Sequence, residues 1–224
     1  MDMMLNLFSM FDPYMGFLFF NWFSLFIYMM ILPQMFWFFN SRLVFMYMYL
    51  LKNLWLELMI IVKSKFNMMN LLIFITLFMY ILMNNFMGLF PYLFTSTSHL
   101  NFSMLFSLSM WLGLMIFGWM KNTEFMFIHL VPLGTPFVLM FFMVLIETLS
   151  NFIRPLTLSV RLVANMIAGH LLLTLLSMFI PGVMFFYMIV LVLQILLLVL
   201  EICVSVIQSY VFVILMILYM KETN

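Results

Sequence analysis

Charged side chains are absent from long stretches of this 224-residue chain, and this scarcity limits what it can fold into. Residues 13–41 and 66–120 contain no Asp, Glu, Lys or Arg. Charged residues make up 7% of the chain and hydrophobic residues 68%, whereas a soluble domain is about 25% charged and about 45–50% apolar. So few charges cannot cover a surface in water. The composition excludes a soluble enzyme, a nucleic-acid-binding protein and a disordered regulator, and it predicts an all-α integral membrane protein.

The few charges divide the chain, as a single membrane domain, into about five predicted membrane helices. The first is expected over 14–39, because a span needs about 20 mostly apolar residues. The second uncharged run is too long for one span and breaks at the polar stretch 95–99. The last part forms long helices separated near Pro181 and Gly182, with a further interruption expected near Pro155. The remaining predicted membrane helices are 70–92, 102–119, 134–179 and 183–220.

Residues 41–67 have an amphipathic pattern. At 100° per residue, Arg42, Lys52, Glu57 and Lys63 fall within an arc of about 140°. The opposite face is apolar. This pattern predicts a helix that lies in the plane of the membrane interface. The alternative is an ordinary connecting loop.

The basic residues also predict the orientation of the chain. Half of the Lys and Arg residues lie within 42–65. If the N-terminus starts on the opposite side and five passes follow, this segment shares one side with Lys121 and Lys221. Lys121 belongs to a predicted short loop that also holds Glu124 and His129. By the positive-inside rule, the shared side is the matrix or cytoplasm.

The types of apolar residue indicate where the gene resides. The chain has 30 Phe and 29 Met but only seven Gly, and its two Ala are Ala164 and Ala168. Packing does not require this bias, since small residues are common where membrane helices touch. Phe, Met, Leu, Ile and Asn have AT-rich codons. The bias therefore predicts an AT-rich organellar genome.

Four charges lie within the last two predicted helices: Glu147, Arg154, Arg161 and Glu201. A charge at bilayer depth costs several kcal/mol, and such residues face a bundle interior or a water-filled path and carry function. The first three are seven residues apart, so they share a face of a continuous helix. Arg154, next to Pro155, has the alternative of reaching a lipid headgroup. Arg161 stays charged and needs a partner, which we expect on another subunit.

Uncharged polar residues extend this pattern into two stripes. Asn165 lies one turn beyond Arg161 on the same face, and His170 lies about 180° around the helix from Arg161. A second stripe runs along the last helix at intervals of seven, four and three. The two stripes predict that the two helices meet along a hydrated route. The second stripe consists of Gln194, Glu201, Ser205 and Gln208.

Proton or ion conduction suits these residues better than catalysis or cofactor binding. A metal or haem site needs histidines that come together, and the three histidines lie on separate predicted elements. No phosphate-binding glycine loop or Ser-His-Asp arrangement is evident. We therefore expect no cofactor and no active site in this chain alone. A proton-translocating subunit of a respiratory complex is one alternative, although no Lys lies inside a predicted span. A purely structural subunit is another, which Arg161 and Glu201 disfavour.

A family resemblance is carried by the segment that surrounds Arg161. The run SVRLVANMIAGH (159–170) strongly resembles the core of subunit a of mitochondrial ATP synthase, also called ATPase subunit 6. The resemblance covers nearly the whole chain, is weakest over 14–82, and is closest to arthropod members at the opening residues. Supporting stretches are NFMGLFPY (85–92), TSTSHL (95–100) and IQSYVF (207–212).

The resemblance implies a role for each candidate site residue. Arg161 would face a rotating ring of c subunits, pair with each ring carboxylate as it arrives, and block a direct leak between two offset half-channels. Glu147 would belong to the channel on the matrix side. The channel from the intermembrane space would be lined by Glu201, His170, Asn165 and Gln208.

The resemblance also implies partners and a location. The chain would be a proton-conducting stator subunit in the mitochondrial inner membrane that cleaves no nucleotide itself. Its N-terminus would face the intermembrane space and its C-terminus the matrix. Its partners would be the c-ring, other membrane and peripheral-stalk subunits, and the lipid bilayer. The last two helices, each far longer than the roughly 30 Å hydrocarbon core, would form a strongly tilted hairpin against the ring.

Overall fold

The prediction of an all-α protein is confirmed. The computed structural model describes residues 8–14, 20–33, 39, 41–62, 68–90, 93–131, 136–178 and 184–223, and no β-strand occurs within these ranges. Short 3-10 turns cover Ser9–Phe11, Phe20–Phe23 and Ser96–Ser98. The α-helices are α1 (Ser24–Ile31), α2 (Arg42–Val62), α3 (Met68–Gly88), α4 (Leu100–Lys121), α5 (Thr123–His129), α6 (Phe137–Met178) and α7 (Met184–Glu222).

Five of the described helices are long and apolar enough to cross a bilayer: α2, α3, α4, α6 and α7. The helix predicted over 14–39 is only partly described, because 15–19 and 34–38 lie outside the described residues. Within 20–33, α1 is eight residues long. The helix α2 is apolar enough to span, so its position in the interface plane stays a prediction.

The helix α2 packs its apolar face against the protein. Leu58 and Val62 are buried in the main apolar cluster, where α2 contacts α3 and α7. Arg42, Lys52 and Glu57 of this helix are exposed, whereas Lys63 lies outside the described residues. The segment is therefore a helix over Arg42–Val62, and the connecting-loop alternative is wrong for these residues.

The expected interruption at Pro155 is wrong, because α6 continues through it for 42 residues. Proline removes one backbone hydrogen bond and crowds the preceding turn, but membrane helices tolerate it where neighbouring elements compensate. The Pro155 side chain is fully buried, and α6 packs against α4 and α7. The break expected at Pro181 and Gly182 lies outside the described residues.

The loop expected after Lys121 is largely helical. After Asn122, α5 runs over Thr123–His129. The stretch contains no Gly or Pro to end a helix. Glu124 lies in the first turn of α5 and His129 in the last, which complements the helix macrodipole.

The start of α3 and the ends of α4 and α7 lie close together at one end of the molecule. The Asn70 amide donates to the Met220 sulfur across 3.7 Å, which joins the start of α3 to the end of α7. A Cβ atom on Gly118 would lie 3.2 Å from the Cβ of Thr223, which joins the end of α4 to the same place. Lys121 and Lys221 therefore lie at one end, as the charge distribution predicts.

The core at this end depends on packing more than on exclusion of water, because lipid tails are as apolar as Leu. Ile217 of α7 is 0% exposed and its neighbour Leu218 is 38% exposed. We expect Ile217→Ala to leave a cavity and to cost about 2–5 kcal/mol. Leu218→Ala is the matched control and should change stability by about 0.5 kcal/mol or less. Thermal inactivation of the detergent-solubilised complex measures both, and equal midpoints would contradict this packing.

Candidate functional site

A small cavity lies between α6 and α7, and three of the predicted site residues line it. Its volume is about 160 Å³, and Asn165, Gly169 and His170 of α6 line it together with Glu201 of α7. Three of the six candidate site residues thus meet where the two polar stripes face each other. A water molecule needs about 10–15 Å³ of such space, so the cavity has room for several.

The Glu201 carboxyl group is buried inside this site. The residue is 8% exposed, and neither carboxyl oxygen has a hydrogen-bond partner among the described residues. The same holds for the Nε2 atom of His170, which is also 8% exposed. Burying polar groups without partners is costly. The two side chains are therefore suited to exchange protons with water that enters the cavity.

Gly169 makes room for the Glu201 carboxyl group. A Cβ atom at position 169 would lie 2.5 Å from Glu201 Oε1 and 2.9 Å from its carboxyl carbon. Both distances are shorter than a non-bonded contact allows. The absence of a side chain at 169 thus sets where this carboxyl group rests against α6.

A second cavity adjoins the first. It measures about 310 Å³, and Leu89 and His170 line both cavities. Thr174 and Ser177 line the second one toward the end of α6. The Phe11 ring meets the His170 ring edge-on at 6.4 Å. His170 therefore lies between the inner cavity, which Glu201 lines, and the second cavity, which extends toward the end of α6.

Arg161 lies on the outer surface of α6, away from this cavity. Its side chain is exposed and forms no ion pair or hydrogen bond with any described residue. The preceding residue, Val160, is also exposed, whereas Leu162 and Val163 are buried. The guanidinium group is therefore presented to the surroundings of the chain.

The structure places Glu147 far from Glu201. Glu147 lies 14 residues before Arg161, about 21 Å along the helix axis, whereas His170 lies nine residues after it, about 13 Å the other way. Glu147 instead contacts Arg154, with 3.8 Å between Oε1 and Nη2. The Nη1 atom of Arg154 also donates to Glu222 Oε2 at 2.8 Å.

The remaining predicted residue, Gln208, is half-buried on α7 and does not line the cavity around Glu201. Residues with no predicted role also belong to the site. The positions of His170, Thr174 and Ser177 at intervals of four and three are a helical stripe that the sequence contains. No sequence pattern predicts the contact of Gly169 with Glu201 or the ion pair of Glu222 with Arg154, because both depend on how α7 packs against α6.

Comparisons with known proteins agree with the resemblance. A family model described as ATP synthase A chain matches residues 15–221. ATP synthase subunit a of Drosophila melanogaster is 51% identical over 224 residues, covering 99% of this chain and 100% of that protein. The Locusta migratoria protein of the same name is 51% identical over 223 residues, covering 98% and 99%. That of Anopheles gambiae is 49% identical over 226 residues, covering 99% and 100%.

These matches span nearly the whole chain at about half identity, so the resemblance is confirmed and a respiratory-complex subunit is not favoured. The chain belongs to the ATP synthase A chain family, the proton-translocating stator subunit of F-type ATP synthase.

Proposed function

We propose that this chain conducts protons through two offset half-channels that both end at the c-ring, and that it does so as a subunit with no catalytic site of its own. The exposed guanidinium of Arg161 carries this proposal. It stays charged at any physiological pH, and a charge at bilayer depth needs a partner. Within the described residues it forms no ion pair. Its partner is therefore a carboxylate of another subunit, the c-ring.

The first half-channel passes through the two adjoining cavities. Water enters the outer cavity between Thr174 and Ser177, reaches His170, and continues to Glu201 and Asn165 in the inner one. Asn165 lies one turn from Arg161 on α6. The shared wall at His170 and the unpartnered Glu201 oxygens support this route.

The second half-channel uses Glu147, at the other end of α6. Glu147 and the Glu201 cavity are offset along α6 with the fixed charge of Arg161 between them, so a proton cannot pass directly from one half-channel to the other. It first neutralises a ring carboxylate, travels with the ring, and leaves when that carboxylate returns to Arg161. The driving free energy is about 2.3 kcal/mol per charge per 100 mV. The offset converts this energy into rotation.

The same proposal assigns location and orientation. We place the chain in the mitochondrial inner membrane, with its N-terminus toward the intermembrane space and its C-terminus toward the matrix. The clustering of Lys121 and Lys221 at one end supports this, since basic residues favour the inner side. At about 63 Å for α6 and about 58 Å for α7, both helices exceed the bilayer core and must tilt against the c-ring. Other membrane and peripheral-stalk subunits cover the remaining surfaces.

Removal of the fixed charge tests the proposal directly. In the intact complex reconstituted into liposomes, Arg161→Ala should abolish ATP-driven acidification, because nothing then separates the two half-channels or attracts the ring carboxylate. Fluorescence quenching of a pH-sensitive dye measures this. Arg42→Ala, which removes an exposed arginine of α2, is the control and should pump normally. Coupled pumping by Arg161→Ala would refute the assigned role.

Displacement of Glu201 gives a second test. Gly169→Ala places a methyl group where the carboxyl group lies and should slow proton conduction about tenfold, the scale on which misplacing a reacting group acts. The flexible Glu201 tip can swing aside, so the complex should still assemble. Gly113→Ala is the matched control, because a Cβ there meets nothing within 4 Å. Equal conduction rates for the two variants would show that Gly169 does not position Glu201.

A further inference from the structure

The N-terminal turn Ser9–Phe11 lies beside the second cavity although it is far from α6 in sequence. The Phe11 amide donates to the Phe8 carbonyl oxygen at 3.0 Å, which closes the turn. Met10 and Phe11 line the cavity, and its other walls come from the end of α3, the stretch that follows, α6 and α7. The turn thus helps to enclose the space through which His170 is reached.

Phe11 is the residue of this turn that contacts His170. The two ring centroids are 6.4 Å apart and the ring planes meet at 75°, the edge-to-face arrangement that aromatic pairs favour. The Nε2 atom of His170 has no hydrogen-bond partner among the described residues. Because a hydrogen bond at a ring nitrogen ordinarily orients a histidine, packing against Phe11 takes on part of that task here.

The segment after the turn is attached to the stretch between α3 and α4. The Asn21 amide donates to the Asp12 carbonyl oxygen at 3.2 Å. Ser24 Oγ donates to the Phe94 carbonyl oxygen at 3.2 Å, and the Trp22 ring packs edge-on against the Phe94 ring at 5.5 Å. These contacts hold the turn beside the cavity, because they connect it to a stretch that lines the same cavity.

The surroundings of Phe11 argue against a role in the core. The side chain is half-buried and lies outside the main apolar cluster. A phenyl ring has no proton to exchange and forms no ordinary hydrogen bond with water, so Phe11 carries no protons itself. At this place the ring is suited to keep water from one side of His170 and to fix the plane of the imidazole.

We propose that the N-terminal turn is a wall of the first half-channel and that Phe11 is a positioning residue for His170. The ring holds the imidazole between the second cavity and the inner cavity, where water on both sides reaches it. This inference rests on the proposed function, because it presupposes that His170 belongs to a proton path.

Variants of Phe11 in the intact complex reconstituted into liposomes test the positioning role. Phe11→Leu keeps an apolar side chain but removes the ring, and it should slow ATP-driven acidification about fivefold, the scale of one aromatic ring contact. Phe11→Tyr keeps the ring and should pump at the unaltered rate. Phe26→Ala is the control, because Phe26 is exposed and lines neither cavity. Unaltered pumping by Phe11→Leu, or equal slowing by Phe11→Tyr, would overturn the inference.

A cross-link tests the wall without a rate measurement and without a change at Phe11. In the complex carrying Cys203→Ser, a short bifunctional thiol reagent should join Met10→Cys to Thr174→Cys, which line the same cavity. Thr157→Cys lies about 26 Å away along α6 and is the control that should not be joined. Mass spectrometry identifies the linked peptides. If each cysteine reacts singly but Met10→Cys and Thr174→Cys are not joined, the turn is not this wall.

The two kinds of failure are distinguishable in the same preparations. If Arg161→Ala pumps, the proposed function fails, and the role of Phe11 fails with it. If Arg161→Ala does not pump while Phe11→Leu pumps at the unaltered rate, only the role of Phe11 fails.

Discussion

A guanidinium group that cannot give up its charge inside a membrane is the constraint on which the rest of this structure depends. Arg161 is surrounded along α6 by apolar residues, and its side chain is exposed. The acids of its own helical pair are engaged elsewhere: Glu201 lies in a cavity beside Gly169, and Glu147 contacts Arg154. Within the described residues, no acid of this chain forms an ion pair with Arg161, which is why we propose a partner on another subunit.

Polar side chains at the two ends of the α6–α7 pair have different surroundings. Around Glu201 and His170, the chain provides space for water and few hydrogen bonds. Around Glu147 and Arg154, it provides opposite charges in contact. A buried acid facing a cavity exchanges protons with whatever water enters, whereas an acid held by a guanidinium is fixed in position. This contrast matches a path that must admit protons at one end and release them at the other.

Much of the fold and part of the site follow from the sequence because charges are so rare in it. The uncharged runs predict the apolar helices, and the spacing of Glu147 and Arg154 predicts the face on which they meet. The continuity of α6 through Pro155 was not predictable, because it depends on packing against α4 and α7. The pairing of Glu222 was equally hidden, since an acid near a chain end has the pattern of an ordinary solvated residue. Tertiary packing, rather than any local pattern, decides these cases.

The most direct test of the central claim is a measured distance in the intact complex. A cryo-electron microscopy map that resolves side chains would show which group lies nearest to the guanidinium of Arg161. The account predicts a carboxylate of a ring subunit, facing Arg161 directly or through one water, and no acid of this chain within ion-pair distance. An Arg161 paired with Glu201 or Glu147, or facing lipid on a side away from the ring, would contradict the account.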